Sequence, residues 1–295
     1  MTRRGNDVGT SVRTWAWLAA GLLVVLGGIW AVGWAFAGSD LDVRGTLWAQ
    51  ADGWFLLYLA AGFVAQVVDG AIGMGYGIFC NSILMATGLP PDSASASVHF
   101  TKVFTSGFSG LAHLRLRNVN PRLVWHLVIP GSIGAAVGVG VLSVLEPPFV
   151  VGLVACYLLV MGLLLVRKVF QRHIPRRGLK GLGFIGFAGG FLDALGGGGW
   201  GPVVTTSLLN RGRDPRYTIG SVSLTEFFVA LTSSVAFFLV IELSYWKPIL
   251  GLLVGGMLAA PLRALLTVRL PRRLLLGLTG LLIVGLSLRQ LWRLV

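Results

Sequence analysis

The stretch LDALGGGGWGPVV, residues 192–204, places four consecutive glycines inside an apolar segment of a 295-residue chain. Glycine is a poor helix former, and an interrupted helix leaves backbone amides and carbonyls that hydrocarbon cannot satisfy. Such a break is tolerated at membrane depth only where it is buried in protein or lines a cavity. The stretch therefore predicts a broken helical segment enclosed by other parts of the protein.

The composition predicts an all-α polytopic membrane protein. Hydrophobic residues make up 55% of the chain and charged residues 12%. A helix needs about 20 apolar residues to cross a bilayer. The apolar runs that approach or exceed this length are residues 14–37, 93–114, 123–145, 150–166, 217–241, 246–266 and 274–291. The net charge of +13 gathers in short loops between these runs, so it indicates positive-inside topology and no nucleic-acid partner.

The loop charges predict how the chain is oriented. Arg3, Arg4 and Arg13 precede the first run, so residues 1–13 are predicted to be a cytoplasmic N-terminus and residues 14–37 a retained transmembrane helix. Residues 54–88 and 181–210 each begin and end on one side, and glycine-rich breaks divide both. We expect two re-entrant helical hairpins that enter from opposite sides, and a C-terminus outside.

The two hairpin segments are copies of each other. When DGAIGMGYG, residues 69–77, is aligned with residues 193–201 at a constant offset of 124, eleven of the 36 positions from Asp69 to Phe104 are identical. Each half, residues 54–169 and 180–291, is predicted to be a hairpin followed by three transmembrane helices. Three crossings invert the second half relative to the first. Inverted repeats with paired broken helices are typical of secondary transporters with a midplane substrate site.

We predict that the two broken segments bind a small anion. Each piece after a break begins a helix, whose N-terminal amides carry partial positive charge, and glycine lets a ligand approach them closely. The alternative is that the glycines only permit close helix packing. The predicted substrate-binding residues on these segments are Gly73, Gly75, Tyr76, Gly77, Asn81, Gly197, Gly198, Gly199, Trp200, Gly201, Thr205 and Thr206.

Charged residues on the following helices complete the predicted site. Lys102 and Glu226 occupy equivalent positions, so a pseudo-twofold axis would bring them together near the midplane. Either they form a structural ion pair, or Lys102 attracts the substrate while Glu226 or His99 exchanges protons. Asp69 and Asp193 either bind local amides or handle a coupling proton or sodium ion.

An enzymatic function is weighed and set aside. GFSG, residues 107–110, matches the pattern of intramembrane serine proteases, but no histidine follows His173 to act as the base. Cys80 and Cys156 lie in separate apolar segments, so no cofactor or metal is predicted. A non-transporting membrane scaffold would explain the hydrophobicity but not the duplicated hairpins. We therefore predict that the protein is not an enzyme.

Two pairs of motifs resemble the signature repeats of the sulfite exporter TauE/SafE family of membrane permeases. They are DGAIGMGYG followed by PPDSASASVH, and FLDALGGGGWGPVVTTSLL followed by YTIGSVSLTEFF. The resemblance covers nearly all of the chain after the first predicted helix. It implies a bacterial inner-membrane transporter that exports small sulfur-containing anions such as sulfite or organosulfonates. Family members differ in substrate, so thiosulfate, sulfate or a carboxylate are alternatives.

Overall fold

The described part of the chain in this computed structural model is helical throughout and contains no strand. It comprises residues 53–170, 181–209, 211, 215–241, 245–269 and 272–294. The predicted span at residues 14–37 lies outside these ranges. Leu57–Val295 form one compact unit of the chain. The helices are α1 Gly53–Ile72, α2 Tyr76–Ala86, α3 Pro91–Arg115, α4 Pro121–Val144, α5 Pro147–Phe170, α6 Leu182–Gly196, α7 Thr206–Leu209, α8 Pro215–Val240, α9 Trp246–Arg269 and α10 Arg272–Trp292.

Local sequence fixes where the longer helices start. Proline is the first residue of α3, α4, α5 and α8. Its fixed φ angle suits a first helical turn, where the missing amide hydrogen is not needed. The Asn120 side chain caps α4 by accepting hydrogen bonds from the amides of Arg122 (3.1 Å) and Leu123 (3.4 Å).

The helices of the two predicted halves recur at a nearly constant spacing. α3, α4 and α5 begin at residues 91, 121 and 147, and α8, α9 and α10 begin at residues 215, 246 and 272. The starts therefore differ by 124 or 125 residues, which is the offset of the sequence repeat. Helices at equivalent positions also pack on each other, α3 on α8 and α5 on α10.

The outer face of α4 is apolar and its inner face is lined by glycine. Trp125, Ile129 and Ile133, spaced four residues apart, are more than half exposed. On the inner face, a Cβ atom added to Gly134 would overlap the carbonyl oxygen of Phe187 on α6. Close backbone packing inside and large apolar side chains outside are typical of a helix in lipid.

Three helices are long and apolar enough to cross a membrane within the described ranges. They are Pro121–Val144, Pro148–Phe170 and Tyr217–Val240, which confirms the predicted runs 123–145, 150–166 and 217–241. The run 93–114 forms the single helix α3, but its many serine, threonine and charged side chains keep it out of this apolar set. The later runs lie in α9 and α10.

Both broken segments are interrupted at their glycines, but the first break is shorter than the sequence suggests. α1 continues through Asp69 to Ile72, so only residues 73–75 separate it from α2. With 20 residues, α1 is about 30 Å long, the length of a full crossing, whereas α2 has 11 residues and is about 16 Å long. In the second segment, α6 ends at Gly196 and a π-helical turn, Gly201–Thr205, leads into the four-residue α7.

Candidate functional site

The two glycine-rich breaks touch each other directly. A Cβ atom added to Gly77 would lie 2.6 Å from the Cα atom of Gly198 and would overlap the carbonyl oxygen of Gly197. A Cβ atom added to Gly201 would lie 2.7 Å from the Cβ atom of Met74. Real Cβ atoms do not approach other atoms this closely, so the contact requires glycine. The predicted tip residues of both halves are therefore brought together.

The breaks also use backbone angles that only glycine adopts readily. Gly73, Gly75 and Gly197 have φ angles of +74°, +112° and +66°. A side chain at such a position would clash with its own backbone. Gly199 has another role, since a Cβ atom there would lie 2.5 Å from the Asp193 amide nitrogen in its own hairpin. Close packing and turn formation therefore both account for these glycines.

Lys102, on the first half of the chain, lies between two carboxylates that both belong to the second half. Its Nζ atom is 2.9 Å from both Oδ1 and Oδ2 of Asp193 and 2.8 Å from Oε1 of Glu226. The side chains of Lys102, Asp193 and Glu226 are 4%, 0% and 20% exposed. Both carboxylates therefore contact the buried Lys102 ammonium group directly.

Asp193 is also held by groups around it in its hairpin and on α3. Its Oδ1 atom accepts a hydrogen bond from the Trp200 amide at 3.0 Å, across the break. The His99 Nε2 atom lies 2.9 Å from the Asp193 carbonyl oxygen and must donate to it, because a carbonyl only accepts. Ser95 donates to the next carbonyl, that of Ala194, at 2.5 Å. α3 is thus fastened to the end of α6 by three polar side chains.

A small polar cavity of about 20 Å³ adjoins this ion pair. Side chains from α1, α2, α3 and α8 line it, so it lies between the two halves of the chain. Gln66, Asp69 and Tyr76 come from the first broken segment. Lys102 and Glu226 form the wall next to the ion pair. The cavity thus brings together hydroxyl, amide and charged groups in the interior of an apolar protein.

The two halves carry the same charge at one pair of equivalent positions, Asp69 and Asp193, and opposite charges at another, Lys102 and Glu226. Lys102 on α3 pairs with Asp193 of the second broken segment. Glu226 on α8 lines the cavity together with Asp69 of the first broken segment. The cluster therefore contains three carboxyl groups and one ammonium group.

Two further predicted residues are buried beside the breaks with unpaired oxygens. Asn81 and Thr205, at equivalent positions, are 0% and 1% exposed. The Asn81 Oδ1 and Thr205 Oγ1 atoms have no hydrogen-bond partner in the described part of the chain. A Cβ atom added to Gly197 would be 3.1 Å from the Asn81 Cβ atom, so Asn81 lies against the second break.

The aromatic residues at the two breaks are placed differently. Tyr76 lines the cavity and donates a 3.4 Å hydrogen bond to the Leu252 carbonyl. Trp200 is fully buried, and its Nε1 atom donates to the Val222 carbonyl at 3.2 Å. Trp200 packs in a hydrophobic cluster with Leu127 and does not line the cavity.

Gln66 and Lys168 are among the residues near the site that are absent from the set predicted from the sequence. Gln66 lies in an apolar run, where a single polar residue was a signal that could have identified it. Lys168 donates a hydrogen bond to Thr206, and its Nζ atom lies 3.1 Å from the Met74 Sδ atom. It stands at the start of a basic run, so its sequence context indicates only a loop cation. Within the described residues, no group of three or more His, Cys, Asp or Glu side chains could hold a metal.

Comparison with known proteins places this fold in a transporter family. The sequence profile described as "Sulfite exporter TauE/SafE" matches residues 58–289. The chain is 37% identical over 247 residues to the "Probable membrane transporter protein YtnM" of Bacillus subtilis (strain 168), which covers 80% of this chain and 82% of that protein. It is 29% identical over 86 residues to "Sulfite exporter TauE/SafE family protein 3" of Arabidopsis thaliana, which covers 29% of this chain and 18% of that protein. No solved structure matches. The profile match over most of its length and the relation to the Bacillus protein show that this chain belongs to the sulfite exporter TauE/SafE family of membrane transporters.

Proposed function

We propose that this protein is a secondary transporter that carries small sulfur-containing oxyanions, such as sulfite or organosulfonates, through the cavity beside Lys102. One observation carries the proposal: Lys102 is the only buried lysine or arginine among the described residues, and it lines a polar cavity between the two halves. A cation in a membrane interior attracts anions strongly, because little water screens it. The Tyr76 hydroxyl and the Gln66 amide supply further donors on the same wall.

The transport cycle that we propose is alternating access by two inverted repeats. Three features support it: the recurring helix starts, the packing of equivalent helices on each other, and the direct contact between the two breaks. In such folds, one repeat rocks against the other around a fixed midplane site. We propose the orientation that the positive-inside pattern predicts, with the N-terminus in the cytoplasm and the C-terminus outside. The bacterial inner membrane and outward net movement are what the resemblance to the sulfite exporter family implies.

The substrate class is tested by thermal unfolding of the purified protein in detergent. The ligands are sulfite, thiosulfate, sulfate, methanesulfonate and acetate, because together they separate sulfur oxyanions from a carboxylate. A ligand that binds only the folded state at 100 times its Kd stabilises that state by about 2.7 kcal/mol. We expect sulfite or methanesulfonate to raise the unfolding temperature. A rise with acetate alone would assign the carboxylate alternative instead.

The position of the site is tested by anion flux into proteoliposomes. The variant K102M removes the cation, and R122M removes the charge of an exposed arginine on α4 as the matched control. We expect K102M to abolish flux and R122M to retain it, since only Lys102 reaches the cavity. Undiminished flux in K102M would refute the site at Lys102. Reconstitution in both orientations separates export from uptake.

A further inference from the structure

We propose that the anion and Glu226 compete for Lys102, and that each monovalent anion bound is accompanied by one proton taken up on the Glu226 carboxylate. This inference rests on the proposed function and adds its coupling ion, a proton. It follows from the arrangement of four charged groups: Asp69, Lys102 and Glu226 line the cavity, and Asp193 contacts Lys102 beside it.

Lys102 is enclosed by carboxylates. Its Nζ atom contacts both oxygens of Asp193 at 2.9 Å and Oε1 of Glu226 at 2.8 Å. The Lys102 side chain is only 4% exposed, so an anion that reaches its ammonium group from the cavity competes with the carboxylate that faces the same cavity.

Glu226 is the carboxylate that can leave. Its side chain is 20% exposed and lines the cavity, so an entering anion reaches it directly. Asp193 is 0% exposed, contacts Lys102 with both oxygens, and also accepts from the Trp200 amide. Displacing Asp193 would break three hydrogen bonds within the protein, whereas displacing Glu226 breaks the one to Lys102.

Among the described residues that line the cavity, Lys102 is the only cation beside Glu226. The ionisable groups that face it from the helices around it are Lys102 and His99 on α3, Asp69 on α1, Asp193 on α6 and Tyr76 on α2. Once Lys102 binds the anion, Glu226 stands beside the Asp69 carboxyl group and the new negative charge. A carboxylate in a largely buried site without a countercharge takes up a proton rather than remain ionised.

The charge balance of the site requires this proton. Three carboxylates against one ammonium group already leave an excess of negative charge. A monovalent anion would increase that excess by one, and a proton that moves from water to Glu226 restores it to its starting value. Release reverses both steps: the anion leaves, the Glu226 proton returns to water, and Glu226 pairs with Lys102 again. Anion and proton therefore travel together.

Gln66 supplies a further polar group on the cavity wall. Its side chain is 3% exposed and lines the cavity together with Asp69 and Glu226. Gln66 can donate to the anion or accept the Glu226 proton.

Isothermal titration of methanesulfonate into the purified protein measures the proton directly. Sulfonates do not take up protons near neutral pH, so any proton uptake belongs to the protein. Repeating the titration in two buffers of different ionisation enthalpy gives the number of protons bound. We expect the wild-type protein to take up about one proton per anion. At alkaline pH its Kd should rise about tenfold per pH unit, the slope of a single linked proton.

Two variants locate the proton. E226Q cannot ionise and should bind methanesulfonate with no proton uptake, with a Kd independent of pH and below the wild-type Kd at alkaline pH. E146Q makes the same change at an exposed position and should behave as wild type. Wild-type binding without proton uptake overturns the inference, as does unchanged uptake in E226Q. The wild-type proton number decides alone if E226Q does not fold. Absence of binding in all three proteins counts against the proposed function itself.

Discussion

Replacing Lys102 by methionine separates its structural role from its proposed role in transport. Lys102 and Asp193 are almost wholly buried, and their three charged atoms lie within 2.9 Å. Removal of one partner from a buried ion pair leaves the other charge uncompensated, which costs about 3–5 kcal/mol. Glu226 is 20% exposed, so the loss of its partner costs less free energy than the loss of the partner of Asp193. We therefore expect K102M to lower the free energy of unfolding by about 3–5 kcal/mol.

A second substitution shows whether that loss comes from the buried charge. Asparagine at position 193 removes the charge but retains an oxygen that accepts from the Trp200 amide, 3.0 Å from Oδ1. K102M/D193N should thus recover more than half of the stability that K102M loses. Coupling energies between contacting residues reach about 3 kcal/mol in such cycles.

The assay is thermal unfolding of the four proteins of the cycle in one detergent, with R122M as a control. A loss of 3–5 kcal/mol corresponds to a fall in unfolding temperature of about 6–20 °C for a protein of this size class. R122M should change little, since Arg122 is exposed. A double variant no more stable than K102M would refute the argument that the buried Asp193 charge causes the loss.

Three further substitutions test packing, capping and the asymmetric role of the aromatic residues, each by thermal unfolding. G77A should lower the free energy of unfolding by about 1–3 kcal/mol or more, because the new Cβ atom meets backbone at the second break. G140A is the control: no atom lies within 4 Å of the added Cβ atom, so it should be neutral or stabilising. N120A removes the cap of α4 and should cost about 1 kcal/mol; an unchanged unfolding temperature would contradict the cap. W200F removes the donor to Val222 and leaves a void, which should cost about 1–3 kcal/mol without changing anion selectivity.

The pairing of Lys102 with Glu226 was predictable from the sequence, and the role of Asp193 was not. The offset of 124 puts the two residues at equivalent positions, which predicts their approach near a pseudo-twofold axis, and the structure has Lys102 Nζ 2.8 Å from Glu226 Oε1. The contact between Lys102 and Asp193 depends on how α3 is rotated against the end of α6. That rotation is set by side-chain packing over both helices, which residue spacing does not specify. Spacing left two alternatives for Asp193, local amides or ion handling, and the structure pairs it with both Lys102 and the Trp200 amide.

The break positions were also predictable, but the surroundings of equivalent residues were not. Clustered glycines locate each interruption to within a few residues, because glycine adopts such positive φ angles readily. Tyr76 and Trp200 occupy equivalent positions, yet one lines the cavity and the other fills the core. The larger ring packs against Gly131, where an added Cβ atom would lie 2.7 Å from the nearest Trp200 carbon. The starts of α4 and α9 differ by 125 residues, so the equivalent position is Gly256, where an added Cβ atom would lie 3.4 Å from the Tyr76 hydroxyl oxygen.

Opposite charges at positions 102 and 226 avoid a repulsion that like charges would produce there. Two lysines or two glutamates at these equivalent positions would meet at the short distance now seen between Lys102 and Glu226. Like charges at such a distance in a low-dielectric interior repel strongly. Opposite charges remove the repulsion and make the two halves chemically different, since one presents a cation and the other a carboxyl group. A symmetric pair of neutral residues would also avoid the repulsion, but it would offer neither the anion site nor the charge compensation that we propose.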